Sequence, residues 1–517
     1  MTAALQLAEK VADLEQQLDT KDQQLRSKNQ QISSQQKQIK LLEEMLRYAN
    51  QKRYGSSSEK SPQQELFDEA EDLDQEEQAE SLESSDSISV PAHTRNKKQR
   101  VSIPESLERE EIVYDLEDSE KVCPHDGSAL KHIGEETHEQ LDIIPAEIKV
   151  LKHIRKKYAC PCCDGYVVTA NKPKQPIEKS IAAPGLLAHI AISKYVDALP
   201  LYRQTEMFKR IGVELDRTSL ANWMIKCGNL IQPLFNRLQD HLLDHKVIHM
   251  DETPLQVLNE PGKTAQSKSY MWVMTSHPTH APIVLYHYSP SRSQEMPNQR
   301  LNGYSSALMV DGYSGYQPVC DDQNITRLGC WAHARRKFVD AQSSQGKTKK
   351  AGKAEMAIAE IRKLYRIETL AKDMSETERH QLRQDKAKPI LDKLKKWLEK
   401  SLPTVPPKTA LGKALTYLNN QWPYLEKYLE DGGYPIDNNQ AENKIRPFVI
   451  GRKNWLFTAS QAGAHASANL YSLIETAKAN HLEPYSYLRK VFTDIPNAET
   501  VDDIDQLLPW RFKGVVD

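Results

Sequence analysis

Apolar residues return every seven positions through the first fifty residues: Val11, Leu18, Leu25, Ile32, Ile39 and Leu46. Leu7, Leu14 and Leu42 fill the alternate seam, while Lys21, Lys28 and Gln35 occupy it in the middle. About six heptads without Pro or Gly describe a helix burying a narrow stripe against another helix, so residues 1–50 are read as a coiled coil. Its polar centre weakens the seam and sets register or partner. The pattern stops near Tyr54-Gly55-Ser56. Residues 51–100 then offer few large apolar groups to offset the entropy of ordering, which predicts a flexible linker, acidic from Glu65 to Asp86 and basic from Arg95 to Arg100. The basic end can touch phosphates, but a charge run is more often simply solvated.

Short strand-like runs, EQLDIIP and EIKVLKHIRKKYAC, mark residues 101–178 as a small β module. Residues 179–245 turn helical. VDALPLYRQTEMFKRIG runs to Gly212, a polar turn follows, and Thr218 is expected to N-cap TSLANWMIKCGNLIQPLFNRL. Helix, short turn and capped helix form the outline of a helix-turn-helix, and Arg203, Lys209, Arg210 and Arg217 incline it toward DNA. From Lys246 the runs KVIHM, SYMWVMTS and APIVLYHY read as an antiparallel meander, SALMV as a fourth strand and ITRLGC as a fifth, before WAHARRKFVDA begins a helix. The order argues for a mixed sheet flanked by helices over residues 246–480. Residues 345–430, rich in Lys, Glu, Ala and Leu with helical period, read as an insertion interrupted at SLPTVPPK. Residues 481–517 read as a helical tail. The fold class expected is multidomain α+β.

Composition narrows this picture in three ways. At 517 residues several domains are expected. No apolar run is long enough to span a bilayer, and MTAALQLAEKVADLEQQ has neither the basic nor the apolar region of a signal peptide, so a cytoplasmic protein is expected. The net charge of −2 is uninformative because charge is segregated along the chain. Seven cysteines, three of them at Cys160, Cys162 and Cys163, suit metal binding in a reducing compartment better than a disulfide framework.

Two constellations carry chemistry. Cys123 opens CPHDG, and Cys160 and Cys163 form a C-x-x-C. Two knuckles on short strands describe a zinc ribbon, in which the metal ties together a domain too small for its own core. Asp126 stands where a second Cys is expected in the first knuckle. It or His125 can complete the shell, and a metal-free relic of a ribbon is the competing reading. The second constellation is acidic. Asp251 follows a strand-like run in VIHMDETPL, Asp311 ends another in ALMVDGYSGY, and Glu442 lies near a helix start in YPIDNNQAENKIRPFVIGRKNW, which Asp437 or Asn438 is expected to cap. Three converging carboxylates repel unless cations neutralise them, and magnesium (or manganese) suits oxygen ligands. Bases accompany two of the three acids: Arg446, Arg452 and Lys453 after Glu442, and Arg335, Arg336 and Lys337 in CWAHARRKF after Asp311. They are the candidate phosphate contacts. Each acid alone is weak evidence, and a surface Glu442–Arg446 pair or a core His333 fits the same residues in isolation.

HMDETPLQVL, VDGYSGYQPV, GCWAHARRKF, DNNQAENKIRPFVIGRKNWLF, SLIETAKANHLEPYSYL and KYVDALPLYRQ together resemble hallmark segments of the transposases of the IS66 insertion-sequence family. The resemblance runs from about residue 1 to 500. It implies an RNase H-like core with a DDE triad at Asp251, Asp311 and Glu442, and companion proteins encoded by the same element. The Cys123 knuckle departs from the C-x-x-C usual in that family. The resulting expectation is an enzyme that cleaves DNA at element ends with two magnesium ions and transfers the freed 3′ hydroxyls into target DNA. It would recognise terminal repeats, act as a homo-oligomer through the coiled coil, and work in the bacterial cytoplasm at the nucleoid. The alternatives are a DNA-binding regulator of the same fold without catalysis, and a metal-dependent nuclease that cuts without joining.

Overall fold

The computed structural model describes residues 148–159, 167–277, 281–343 and 352–512, with isolated helical positions between Lys21 and Gln35. The linker and the expected ribbon ligands Cys123, Asp126, Cys160 and Cys163 lie outside the described residues, as does the coiled coil apart from those helical positions. The chain divides into two units, Met1–Ser81 and Leu82–Asp517, and the second carries the sheet. It opens on an antiparallel hairpin of β1 (Lys157–Ala159) and β2 (Val167–Thr169), with Tyr158 opposite Val168.

Four helices follow: α1 (Pro184–Tyr195), α2 (Leu201–Arg210), α3 (Arg217–Leu230) and α4 (Gln232–Leu243). Gly212, with φ +81°, makes the turn between α2 and α3. Asp216, not Thr218, caps α3: the carboxylate accepts from Ser219 N at 2.9 Å. A carboxylate at this position satisfies an orphan donor and also faces the positive end of the helix dipole, so the helix starts two residues earlier than expected.

The sheet has six strands: β3 (Val247–Asn259), β4 (Lys268–Ser276), β5 (Val284–Ser289), β6 (Ala307–Val310), β7 (Thr326–Gly329) and β8 (Thr458–Ser460). Its order is β5-β4-β3-β6-β7, and β8 pairs with the far end of β3. The first three strands form an antiparallel meander, while β6 and β7 run parallel to β3. Short helices α5 (Glu295–Arg300) and α6 (Tyr316–Asp322) connect β5 to β6 and β6 to β7. Strands β5 and β6 are buried throughout, which explains why they read as continuous apolar runs rather than alternating ones.

Helix α7 (Trp331–Ser343) leaves β7. The insertion follows as α8 (Lys353–Leu370), α9 (Glu376–Leu382), α10 (Lys388–Ser401) and α11 (Ala410–Leu425). Pro403, Pro406 and Pro407 lie in the break between α10 and α11, where missing donors end the helix. These helices share a core with α7 in which Trp331, Phe338, Ile361, Leu394, Leu418 and Trp422 pack together. The chain then returns through α12 (Asn439–Trp455), β8, α13 (Gln461–Ala479), α14 (Pro484–Asp494) and α15 (Val501–Asp505). No helix among the described residues is long and apolar enough to cross a membrane.

Edge strand β5 would otherwise expose backbone groups. Helix α13 supplies partners: Ser472 Oγ accepts from Tyr286 N at 2.7 Å, and Thr476 Oγ1 bonds both the N–H and the C=O of Val284 at 3.0 and 2.9 Å. The other side of α13 receives α3, where Gly228 lies against Ala466 and its carbonyl accepts from Asn469 Nδ2 at 2.9 Å. A Cβ on Gly228 would stand 2.6 Å from Ala466 Cα, a backbone atom with no freedom to rotate away. Gly228→Ala should therefore destabilise the protein by about 1–3 kcal/mol through overpacking. Urea unfolding is the check, and an unchanged midpoint would show that α3 and α13 separate at little cost.

Candidate active site

Asp251 lies within β3, opposite Val273 of β4, and Asp311 is the first residue beyond β6. The β3–β6 register runs Val247↔Ala307, Ile248↔Leu308, His249↔Met309. Continued by two places, it brings Asp311 opposite Asp251, one strand spacing away. The Asp251 carboxylate accepts from Glu252 N at 2.8 Å, and Asp311 closes a turn by accepting from Tyr313 N at 2.9 Å. The residue Asp251 is half-buried by surface, yet its carboxyl is crowded by protein. Burial, and then the carboxylates of Glu252, Glu442 and Asp311, push its pKa well above the ordinary value. Asp311 and Glu442 therefore both stand within electrostatic reach of Asp251, although the three are remote in sequence.

Glu442 reaches this place on the first turn of α12. Asn438 holds the cap position, but its side chain does not cap the helix. Instead Asn438 Nδ2 donates to Met250 O at 2.8 Å, and its Oδ1 meets His249 Nδ1 at 3.1 Å. The short-range turn is closed by Asp437, whose Oδ1 accepts from Asn439 N at 3.1 Å. Asn438 N also donates to Cys330 Sγ at 3.2 Å, which ties the start of α12 to the start of α7. On the far side of α12, Arg452 donates to Thr253 Oγ1 at 3.0 Å and to the Pro254 carbonyl. Both ends of the helix are thus fastened to β3, and Glu442 is carried between them.

Helix α7 adds the cationic side. Arg336 Nη2 donates to Glu442 Oε2 at 3.2 Å. His333 Nδ1 lies 3.4 Å from Glu442 Oε1, but burial and the neighbouring Arg336 depress its pKa to about 4, so at neutral pH the contact is not an ion pair. The expected base cluster on α7 divides: Arg335 and Arg336 are buried, and Lys337 is exposed. Of the bases on α12, Arg446 is half-buried, Arg452 is engaged on β3 as described, and Lys453 is exposed. Trp455 packs edge-on against Phe448, their centroids 5.5 Å apart.

A further acid sits beside the three. Glu252 is almost wholly buried, held by Arg292 Nε at 2.6 Å and by Tyr316 OH at 2.6 Å. Burial and then Asp311 raise its pKa, against the pull of Tyr316 and Arg292. Arg292 also stacks on the Tyr313 ring at 4.0 Å, so one cation braces the loop that carries Asp311. The acid adjacent to Asp251 in HMDETPL was its signal in the sequence, but alternation along β3 would have put it on the other face, away from the site.

The chain matches sequence profiles described as Transposase IS66 family over residues 179–466, IS66 C-terminal element over 472–510, zinc-finger binding domain of transposase IS66 over 120–164 and Transposase C of IS166 homeodomain over 41–112. It is 35% identical over 421 residues to the uncharacterized protein y4qI of Sinorhizobium fredii, covering 79% of this chain and 76% of that one. It is 32% identical over 424 residues to the uncharacterized protein y4jD of the same organism, covering 80% and 82%. With more than half of its length matched by one profile and the same family matched on either side, the chain belongs to the IS66 family of transposases.

Proposed function

We propose that this protein cuts DNA at the ends of an insertion element and joins the freed 3′ hydroxyls to target DNA, with Asp251, Asp311 and Glu442 as the catalytic set. The observation that carries the reading is the convergence of acids remote in sequence: the β3–β6 register sets Asp311 beside Asp251, and the helix anchored on β3 by Asn438 brings Glu442 to the same place, where burial and these carboxylates push the Asp251 pKa up. Buried like charges of this kind fit a divalent cation, because a cation removes the repulsion and the oxygen donors suit magnesium or manganese. Asp251, Asp311 and Glu442 would hold it. When bound, such ions supply Lewis acidity against the attacking and leaving oxygens of an in-line displacement. An RNase H-like core accords with the sheet order β5-β4-β3-β6-β7, its antiparallel first three strands and its parallel last two.

The chain's own side chains have separable jobs in this reading. Asp251 is fixed by the sheet and by Glu252 N. Asp311 is fixed by its turn and by Arg327, which donates to its carbonyl at 3.0 Å. Arg336 steadies Glu442. Lys453, Lys337 and Arg446 are the proposed phosphate contacts, while Arg452 and Arg336 serve the fold of the site. Arg335 was a further candidate phosphate contact, and its burial gives it the same inward role. DNA partners would be the terminal repeats and the target. Joining two ends calls for at least two protomers, for which the coiled coil is the proposed contact. Companion proteins of the element, a zinc-bound ribbon at Cys123, Asp126, Cys160 and Cys163, and a place at the cytoplasmic nucleoid belong to the same proposal.

Asp251→Asn should abolish magnesium-dependent strand transfer on end-repeat DNA, a loss of about a thousandfold or more if several kcal/mol of charge stabilisation goes with the ligand. Gel assays that resolve cut from joined product read this out. Unchanged joining in the variant would end the assignment, and cut ends without joined product would make the protein a nuclease.

Asp251 and Glu252 bind protons more readily folded than unfolded, because their pKa values stand above the ordinary 3.8 and 4.5. Folding then takes up protons, so this contribution to stability is greatest at low pH and is lost as pH rises from those ordinary values through the raised ones. Magnesium should offset the loss: melting temperature should gain more from magnesium chloride at pH 8 than at pH 5, and Asp251→Asn should narrow the gap. Equal gains at both pH values would contradict the electrostatic account.

A further inference from the structure

Cys330 immediately precedes α7, and His333 follows it at a spacing that puts both on one side of the helix start. Glu442 arrives from α12. One ligand atom from each of the three lies within 4.8 Å of the other two. His333 Nδ1 is buried, 3.4 Å from Glu442 Oε1, and makes no hydrogen bond among the described residues. Cys330 Sγ receives the N–H of Asn438 at 3.2 Å, while burial holds it as the thiol until a metal displaces the proton.

We propose that Cys330, His333 and Glu442 form a second, sulfur-containing metal site that takes zinc, and that zinc there withdraws Glu442 from the catalytic set. The withdrawal rests on the catalytic reading above; the zinc site does not. Thiolate, imidazole and one carboxylate are a zinc donor set, whereas magnesium does not favour sulfur. The charges balance: thiolate and carboxylate together cancel a divalent ion, and the imidazole binds as the neutral ring. Binding breaks the S–H bond of Cys330, its electron pair goes to the metal and its proton to solvent. Ligand atoms around tetrahedral zinc stand roughly 3.3–3.8 Å apart, given metal–ligand bonds of about 2.0–2.3 Å, so small side-chain movements close the shell and leave a fourth position for water. A carboxylate so engaged turns toward α7 and away from Asp251, so the site acts as a brake on the enzyme.

The test uses the full-length protein stripped of metal. Zinc chloride is titrated against a chromophoric zinc chelator into wild type, Cys330→Ser and His333→Ala, with circular dichroism to confirm folding. All three keep the ribbon cysteines, so differences report this site alone. Wild type should bind one zinc equivalent more than either variant, or bind it more tightly by over the roughly 10- to 100-fold that losing an outer partner of a metal site costs. Cobalt substitution should show a sulfur-to-metal charge-transfer band that weakens in Cys330→Ser. Equal stoichiometry and affinity in all three proteins overturn the site. Manganese binding, followed by electron paramagnetic resonance, tests the brake: zinc should displace manganese from wild type but not from Cys330→Ser. Zinc that binds without displacing manganese overturns the brake. Asp251→Asn separates the two readings, since it should lose manganese and keep the extra zinc; manganese bound equally by Asp251→Asn counts against the catalytic set and leaves the zinc site standing.

Discussion

The junction of β3 with the start of α12 rests on one buried carboxamide. Asn438 is 0% exposed and spends both ends of its side chain on β3, donating to Met250 O and meeting His249. The pairing of β3 with β6 runs through His249↔Met309, so the Met250 carbonyl next along the strand needs another partner. A carboxamide can give to a carbonyl and accept from a ring nitrogen at once, which an ionised aspartate cannot do. Its backbone N–H adds the third tie, to Cys330. Glu442 is one turn of helix beyond this anchor, and that short lever fixes where its carboxylate stands relative to Asp251.

Charge is distributed around that anchor in two halves. On the α7 side Arg336 meets Glu442; on the α6 side Arg292 and Tyr316 meet Glu252. Asp251 lies between and accepts the backbone N–H of Glu252. Burial, and then the carboxylates of Glu252, Glu442 and Asp311, raise its pKa, so the rise is a statement about the site rather than about the residue alone. Such a cluster costs stability in the metal-free protein. Frustration of this kind is what a fold retains where function needs it and removes elsewhere.

The strands and two of the acids were legible because burial on both faces produces apolar runs. Asp311 marks the stop of β6; Asp251 ends the apolar run KVIHM, but β3 itself continues past it to Asn259. Glu442 was legible only through its company, since a glutamate on a helix is otherwise unremarked. What escaped the sequence depends on side-chain direction. Asn438 was expected as a cap, and it occupies that position, but its carboxamide turns to β3 while Asp437 closes the turn. Thr218 and Asp216 are both good caps; the carboxylate won through its bond to Ser219 N. Arg335 and Arg336 were read as candidate phosphate contacts, yet a run of basic residues on a helix spans every face, and these two are buried. Nothing in local spacing tells which arginine will find a buried carboxylate.

About 130 residues separate Asp311 from Glu442, and the insertion explains why that distance does not blur the site. The helices between them pack on α7 and form a core of their own with it. They also enter and leave at one place. Trp331, at the first residue of α7, receives the end of the insertion through its ring N–H, which donates to Leu425 O at 2.9 Å. Its backbone N–H donates to Ile436 O at 3.1 Å, just before Asn438. Gly329, at the end of β7, permits the same approach, because a Cβ there would stand 3.0 Å from Leu425 N. The entropy of closing a loop grows only with the logarithm of its length, so once both ends are pinned at Trp331 the size of the excursion hardly matters. The chain can therefore carry a large helical body between two residues of one site and still return Glu442 to the same sheet edge.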